Sequence, residues 1–413
     1  MLPSSSRREF LKLLGVTGGI SLGALPPRFL VRAAESPAAI SYDKRVMVLI
    51  QLAGGNDGLN TVVPYADPAY EKARPGIGIP KPQVLKLNGE FGLHPSLTGL
   101  RELYDEGKLA IVQGVGYPNP DRSHFRSMDI WQSAQPENET PRDGWLGRGL
   151  EWRFEKRPEL AEGLTIGTDK LPLAFASTRI NVPTLRRLED FQLIDGHGSA
   201  LNRDLTRIAQ KRLAESRDSA IGELDFLRRA TTTALTSADR LKSLSSAYRT
   251  TVSYPSTGLA NRLKLIAQML TADLPTRIFF VSLDGFDTHS QQQPGHSALM
   301  AELSGAIRAF EQDLVEHKLS DRVCLATFSE FGRRVAENGS LGTDHGAASM
   351  LFALTPTGKS GFHGQHPSLT DLTDGDLKFN IDFRSVYATV LDRWLEIPSQ
   401  NILGSKFDPM GFI

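Results

Sequence analysis

Apolar residues gather in short, near-continuous runs separated by longer stretches of mixed polarity. The runs fall at 45–52, 109–116, 277–283, 323–328 and 349–354. Runs this short and this uniformly apolar predict strands buried on both faces, the kind found in parallel sheets. Between them the spacing changes to that of helices, over 97–106, 259–270 and 297–318. In the last of these Leu299, Leu303, Ile307, Phe310 and Leu314 recur at helical intervals. Weaker signals predict a helix start at 144–148, a short strand at 171–175 and a final helix from Asp382 to near Leu395. Strands alternating with helices predict an α/β fold with a mostly parallel sheet. The span 201–271 is helix-forming and poor in aromatics, which predicts a helical insertion at about 197–258 in a domain covering 45–413.

The predicted strands end in polar segments, where open α/β sheets place ligands. The first run leads into Gly54-Gly55-Asn56-Asp57-Gly58, which reads equally as a tight turn or as a ligand loop bearing Asp57. The second leads through Pro118 and Pro120 to Ser123-His124-Phe125-Arg126. Asp121 or Ser123 could cap a helix there, and the Ser123 hydroxyl reads as an N-cap or as a nucleophile beside His124 and Arg126. The third leads into Asp284-Gly285-Phe286-Asp287-Thr288-His289, and after the fourth comes Thr343-Asp344-His345-Gly346. Carboxylate and imidazole side by side suit a borderline divalent metal such as zinc. Adjacent ligands cannot both face one way from a regular strand, but a loop allows it. Gly342 and Gly346 offer that loop backbone freedom. His363 and His366 lie in a later Gly-containing segment, whereas His296 and His317 flank or lie in the predicted helix and read as solvated.

Composition narrows the classes. With 413 residues the chain is long for one core, and its 40% hydrophobic and 23% charged content is that of an ordinary globular protein. Lys+Arg and Asp+Glu each total 47, and no long basic block follows the N-terminus, so nothing points to nucleic acid. The 1 cysteine, Cys324, lies in an apolar run and predicts a buried, inert thiol with no intrachain disulfide. Residues 1–33 read as a twin-arginine signal peptide: Arg7-Arg8 precede Phe10-Leu11-Lys12, a Gly-rich apolar stretch follows, and Val31 and Ala33 suit a cleavage site. Residues 34–44 then read as a linker. The apolar stretch is too short and Gly-rich for a stable membrane span. Export through the twin-arginine machinery to the periplasm or beyond is the expectation, and that route takes proteins already folded.

A set of motifs resembles one family. Gly-Gly-Asn-Asp-Gly-Leu-Asn-Thr-Val-Val-Pro-Tyr from Gly54, Arg-Ser-His-Phe from Arg122, Asp-Thr-His from Asp287, Ser-Glu-Phe-Gly-Arg from Ser329, Gly-Thr-Asp-His-Gly from Gly342 and Asp-Phe-Arg-Ser-Val-Tyr-Ala-Thr-Val-Leu from Asp382 look like domain of unknown function 1501. That family is grouped with the alkaline phosphatase and sulfatase superfamily. The grouping implies a three-layer α/β/α sandwich and an exported, metal-dependent hydrolase of phosphate or sulfate esters. The alternative is an exported binding or scaffold protein with a degenerate metal site. It further implies a divalent metal, zinc first, as one or two ions, with calcium, magnesium or manganese as alternatives. Asp57, Asp287, His289, Asp344, His345 and a late histidine, His363 or His366, would be its ligands. Ser123 would be the nucleophile, with His124 and Arg126 contacting a small anionic ester. The Asp-x-His spacing at Asp287 is tighter than the Asp-x-x-x-His of alkaline phosphatases. The chain also lacks Cys-x-Pro-x-Arg, which excludes a formylglycine nucleophile made from cysteine.

Overall fold

The computed structural model describes residues 44–156, 163–168, 170–180, 182, 184–185 and 248–413. The predicted signal peptide, most of the linker and nearly all of the predicted helical insertion fall outside the described residues. The chain divides into two compact units. One comprises Tyr42–Thr184, Thr250–Thr271 and Thr276–Ile413 and contains the sheet; the other, Met1–Ser41, Leu185–Arg249 and Ala272–Pro275, lies mostly outside the described residues.

Eight of the sheet's nine strands are β1 (Val46–Ala53), β2 (Leu109–Gly116), β3 (Gly163–Ile166), β4 (Ile278–Asp284), β5 (Val323–Phe328), β6 (Ser349–Leu354), β7 (Gly361–His363) and β8 (Ile381–Asp382), the ninth being the two-residue strand Thr184–Leu185 beyond β3. They lie in the order β7-β2-β6-β5-β1-β4-β3, with β8 paired to the end of β2. Among these eight strands the pairings are parallel except those of β6, which runs against both β5 and β2. The reason lies in the connection from β5. Residues 329–348 stay at the carboxyl edge of the sheet, so β6 starts at that edge and can only run back. The mostly parallel α/β fold read from the chain is the one observed.

β1 is central because it is apolar on both faces. Met47 and Leu49 join Phe280, Cys324 and Phe328 in a core shared with α3 (His124–Ser133), α4 (Trp145–Lys156) and α7 (Phe383–Thr389). Aromatic rings weld that side: Trp131 stacks on Phe383 with centroids 4.3 Å apart, and Trp145 on Tyr387 at 4.1 Å. Such pairs add about 0.5–1.5 kcal/mol each to what area burial gives. The alternate positions Val48, Ile50, Phe279 and Val281 are equally buried. On that opposite face α5 (Gly258–Thr271) packs on β4 and on α6 (Gln292–Glu316), and α6 packs on α2 (Thr98–Asp105). Helices therefore cover both faces. Cys324 is fully buried, and burial pushes its thiol well above the ordinary range.

Two local readings change. Residues 171–175 do not form a strand: Pro172 cannot donate to a ladder, and a 3₁₀ turn at Leu173–Phe175 follows it. The helix expected from 297 begins at Gln292, with Pro294 tolerated in its first turn. That earlier start puts His296 on the buried face instead of in solvent, where its Nε2 donates to Asn56 Oδ1 at 3.2 Å. His317, also read as solvated, is half-buried at the helix end, with Nδ1 3.0 Å from Asp313 Oδ1.

His94 and His296 lie edge to face, 5.5 Å apart, and burial pushes each down to about 4 from an ordinary 6.5. The unfolded chain binds protons at these positions below about pH 6.5, whereas the native chain does so only near pH 4. Stability is therefore full above the unfolded value and falls as pH drops through this window. Urea unfolding with chelator present should show a loss between about pH 7 and about pH 5.5, reduced in His296→Gln. An unchanged loss in that variant would remove His296 from the effect.

Candidate metal centre

Three neighbouring strands release their loops side by side. In register, Ala53 of β1 faces Asp284 of β4, and Gln51 of β1 faces Phe328 of β5. The loops 54–57, 285–290 and 329–334 therefore leave the same edge together. Gly54 permits their closest approach: its φ is +119°, and a Cβ there would lie 2.4 Å from the Asp287 amide nitrogen. β2 ends at Gly116 and delivers the start of α3, including His124, to the same place. The segment 332–334 pairs with 344–347 through Gly346 N to Gly332 O at 2.9 Å and Arg334 N to Asp344 O at 3.0 Å. Gly342 and Gly346 do not need a left-handed backbone. They supply space, since a Cβ on Gly342 would lie 2.3 Å from the His289 carbonyl and one on Gly346 2.6 Å from Arg333 backbone.

At this edge three imidazoles turn their Nε2 atoms to one carboxylate oxygen. Asp287 Oδ1 is 3.0 Å from His289 Nε2, 3.1 Å from His345 Nε2 and 3.4 Å from His124 Nε2. His289 and His345 bring their Nε2 atoms within 2.9 Å of each other. Each ring faces an oxygen through Nδ1: His345 the Arg122 carbonyl at 2.7 Å, His124 Glu330 Oε1 at 2.9 Å, and His289 Asp344 Oδ1 at 3.5 Å. An oxygen acceptor at Nδ1 fixes the proton there and leaves Nε2 as the lone-pair nitrogen.

Charge supports the same arrangement. Asp287 is desolvated, which raises its affinity for a proton, yet the Arg333 hydrogen bond and charge bring it down to about 2. Burial holds His345 below its ordinary value, so it is neutral near pH 7. Glu330 is 1% exposed and also accepts from the Gly54 amide at 2.8 Å. The Asn338 hydrogen bond outweighs the opposing effect of burial and holds the Asp344 carboxyl below its usual range.

These residues fit a divalent cation. Ligand atoms around a tetrahedral zinc ion lie about 3.3 Å apart, and the contacts above are of that size. His124, Asp287 and His345 each offer an atom within 4.8 Å of the others. His124 Nε2 is buried with no hydrogen-bond partner among the described residues. Three carboxylates (Asp287, Glu330, Asp344) against the Arg333 guanidinium leave two net negative charges where imidazoles are neutral, matched by one divalent ion.

The sequence profile of the family described as "Protein of unknown function (DUF1501)" matches residues 43–404. The chain belongs to this family. No curated protein matches the DUF1501 chain. Among solved structures it is similar to the PsFucS1 sulfatase from Pseudoalteromonas sp., with 13% identity, TM-score 0.38, and 92% of this chain and 74% of that one covered. It is also similar to the C-terminal periplasmic domain of EcEptC from Escherichia coli in complex with Zn, with 11% identity, TM-score 0.37 and coverages of 80% and 77%. A third is the alkaline phosphatase from the Antarctic bacterium TAB5, with 11% identity, TM-score 0.32 and coverages of 78% and 94%. The site of the DUF1501 chain rests on its own side chains.

Among the residues expected at the site, Asp287, His289, Asp344 and His345 come together, with Asp344 behind His289 instead of facing the centre. His124, expected to touch substrate, joins the converging nitrogens. Asp57 does not join them. It caps the short helix α1 (Gly58–Thr61), and its other oxygen accepts from Arg74 at 2.6 Å and Gln292 at 2.5 Å. His363 sits on β7 opposite Val112, its Nε2 2.8 Å from the Lys359 carbonyl, and is not in the group. Arg126 donates to the carbonyls of Glu137 and Glu139 at 2.5 Å. Ser123 is exposed at the N-cap of α3, and its hydroxyl does not cap the helix. Glu330 and Arg333 belong to the site as well, and the signal that marks them is Ser-Glu-Phe-Gly-Arg at a strand end.

The Asp57–Arg74 pair is fully buried, and its charges hold Asp57 low against the pull of desolvation. Asp57→Asn should cost about 3–5 kcal/mol by leaving a buried cation unpaired. Urea unfolding should give that loss equally with and without chelator. A loss seen only in the presence of metal would make Asp57 a ligand after all.

Proposed function

We propose that the protein is an exported, metal-dependent hydrolase of phosphate or sulfate esters. The observation that carries this reading is the convergence of the His124, His289 and His345 Nε2 atoms on Asp287 Oδ1 with each Nδ1 facing an oxygen. Nitrogen-rich donors favour zinc over calcium, magnesium or manganese, and among the described residues His124, Asp287 and His345 form one such group, with His289 Nε2 2.9 Å from His345 Nε2. A bound divalent cation supplies Lewis-acid polarisation of a phosphoryl or sulfuryl oxygen.

The chain's residues supply position and a nucleophile. Ser123 stands between Arg122, whose carbonyl meets His345, and His124, whose ring is in the group. Its hydroxyl attacks phosphorus or sulfur, the ester P–O or S–O bond breaks and the alcohol leaves. Water then cleaves the seryl ester and restores Ser123. Phe125, 86% exposed between His124 and Arg126, offers an apolar surface to the organic part of the ester. Export rests on Arg7-Arg8 and the residues after them. No helix among the described residues is long and apolar enough to cross a membrane.

The test uses full-length protein exported by its native route. Elemental analysis should find about one equivalent of metal, and a panel of aryl phosphate and sulfate esters should include a substrate. Ser123→Ala should keep its metal and lose on the order of a thousandfold in kcat. Metal far below one equivalent together with no hydrolysis would leave a binding or scaffold protein. Full activity in Ser123→Ala would remove that residue from the chemistry.

A further inference from the structure

Arg126 is engaged with backbone carbonyls, so any anion recognition at this edge falls to other cations. Two stand beside the centre. Arg122 places its carbonyl on His345 Nδ1, and Arg334 donates its amide to the Asp344 carbonyl. The two backbones thus hold adjacent residues of the Asp344-His345 segment. Their side chains meet on one acid. Arg122 donates Nε and Nη2 to Asp376 Oδ2 at 2.8 and 2.6 Å, and Arg334 Nε lies 3.6 Å from Asp376 Oδ1. Asp376 lies in a small hairpin, Leu372–Thr373 against Asp376–Leu377, and is 3% exposed. The two arginine side chains are 40% and 36% exposed.

One buried carboxylate shared by two guanidiniums gives the trio one net positive charge, with Asp374 near Asp376 and Asp344 near Arg334 as the other acids in reach. It also fixes where both forks start, which lowers the entropic cost of orienting them on a ligand. Asp376 Oδ1 is itself buried without a hydrogen-bond partner, so Arg334 is held near it by charge and not locked. The geometry points to Arg122 and Arg334 as an anion clamp at the rim of the metal centre, with Asp376 as the positioning residue that holds both. The ligand is a tetrahedral oxyanion group of the phosphate or sulfate class, whose oxygens match guanidinium forks. This rests on the hydrolase reading only for what the anion is attached to.

Inorganic phosphate and inorganic sulfate are the probes, titrated calorimetrically into the full-length zinc-loaded protein and into the same protein after chelation, with zinc content measured on each sample. Arg122→Gln and Arg334→Gln should each weaken binding about tenfold or more, whereas Arg126→Gln should change it less than about twofold. Arg122→Lys retains the charge beside Asp376 and so guards against a folding defect; losing the fork should still weaken binding several-fold. Weakening by Arg126→Gln equal to that of the other two, no effect of either rim variant, or no anion binding by the parent would overturn the clamp. A chain that takes up no zinc yet shows the same arginine dependence would uphold the clamp and sink the hydrolase reading.

Discussion

The Arg333 guanidinium holds the candidate centre together. It is 1% exposed and donates to the carbonyls of Gly54, Gly55 at 2.7 Å, Phe286 at 3.0 Å and Thr343 at 2.8 Å, and to Asp287 Oδ1 at 2.8 Å. Those oxygens belong to the loops after β1 and β4 and to the segment before β6. Burying a guanidinium is costly unless its donors are satisfied, and here the loop that carries Asp287 and His289, the segment that carries Asp344 and His345, and the loop after β1 each contribute an acceptor. Charged hydrogen bonds are worth about 1.5–3 kcal/mol each, so the loops have no cheap way to separate. The same cation lowers the proton affinity of Asp287 and keeps it an anionic donor at neutral pH.

Behind this knot lies a second polar layer. Gln292, the first residue of α6, donates to Asp57 and accepts from Thr343 at 2.7 Å and Thr288 at 3.1 Å. Thr288 adjoins both Asp287 and His289, and Thr343 adjoins Asp344. The buried Asp57–Arg74 pair thus supports the centre from beneath while taking no place in it. Loop glycines complete the arrangement by removing side chains where backbones come closest.

Much of the architecture was legible because both-face burial writes itself as apolar runs. β1, β2, β4, β5 and β6 all lie where such runs stand. Strand direction was not so written: nothing in Ser349–Leu354 says that it runs antiparallel. At the site, Asp287, His289, Asp344 and His345 were visible as acid and imidazole at strand ends. Asp57 looked the same and differs only through Arg74, whose burial no local pattern marks. His124 and Glu330 meet across 206 positions, so their pairing belongs to the fold and not to a motif. His363 met the expectation of a late histidine by its place in the chain, but β7 holds it opposite the middle of β2.

The central claim is that His124, His289, His345 and Asp287 share one divalent ion. X-ray absorption at the zinc edge of the loaded full-length protein tests it most directly. The account predicts a first shell of nitrogen and oxygen at about 2.0–2.2 Å, with outer-shell scattering from three imidazoles that falls by one in each single His→Ala variant. A shell with fewer than two imidazoles, or one unchanged by His124→Ala and His345→Ala, would contradict it.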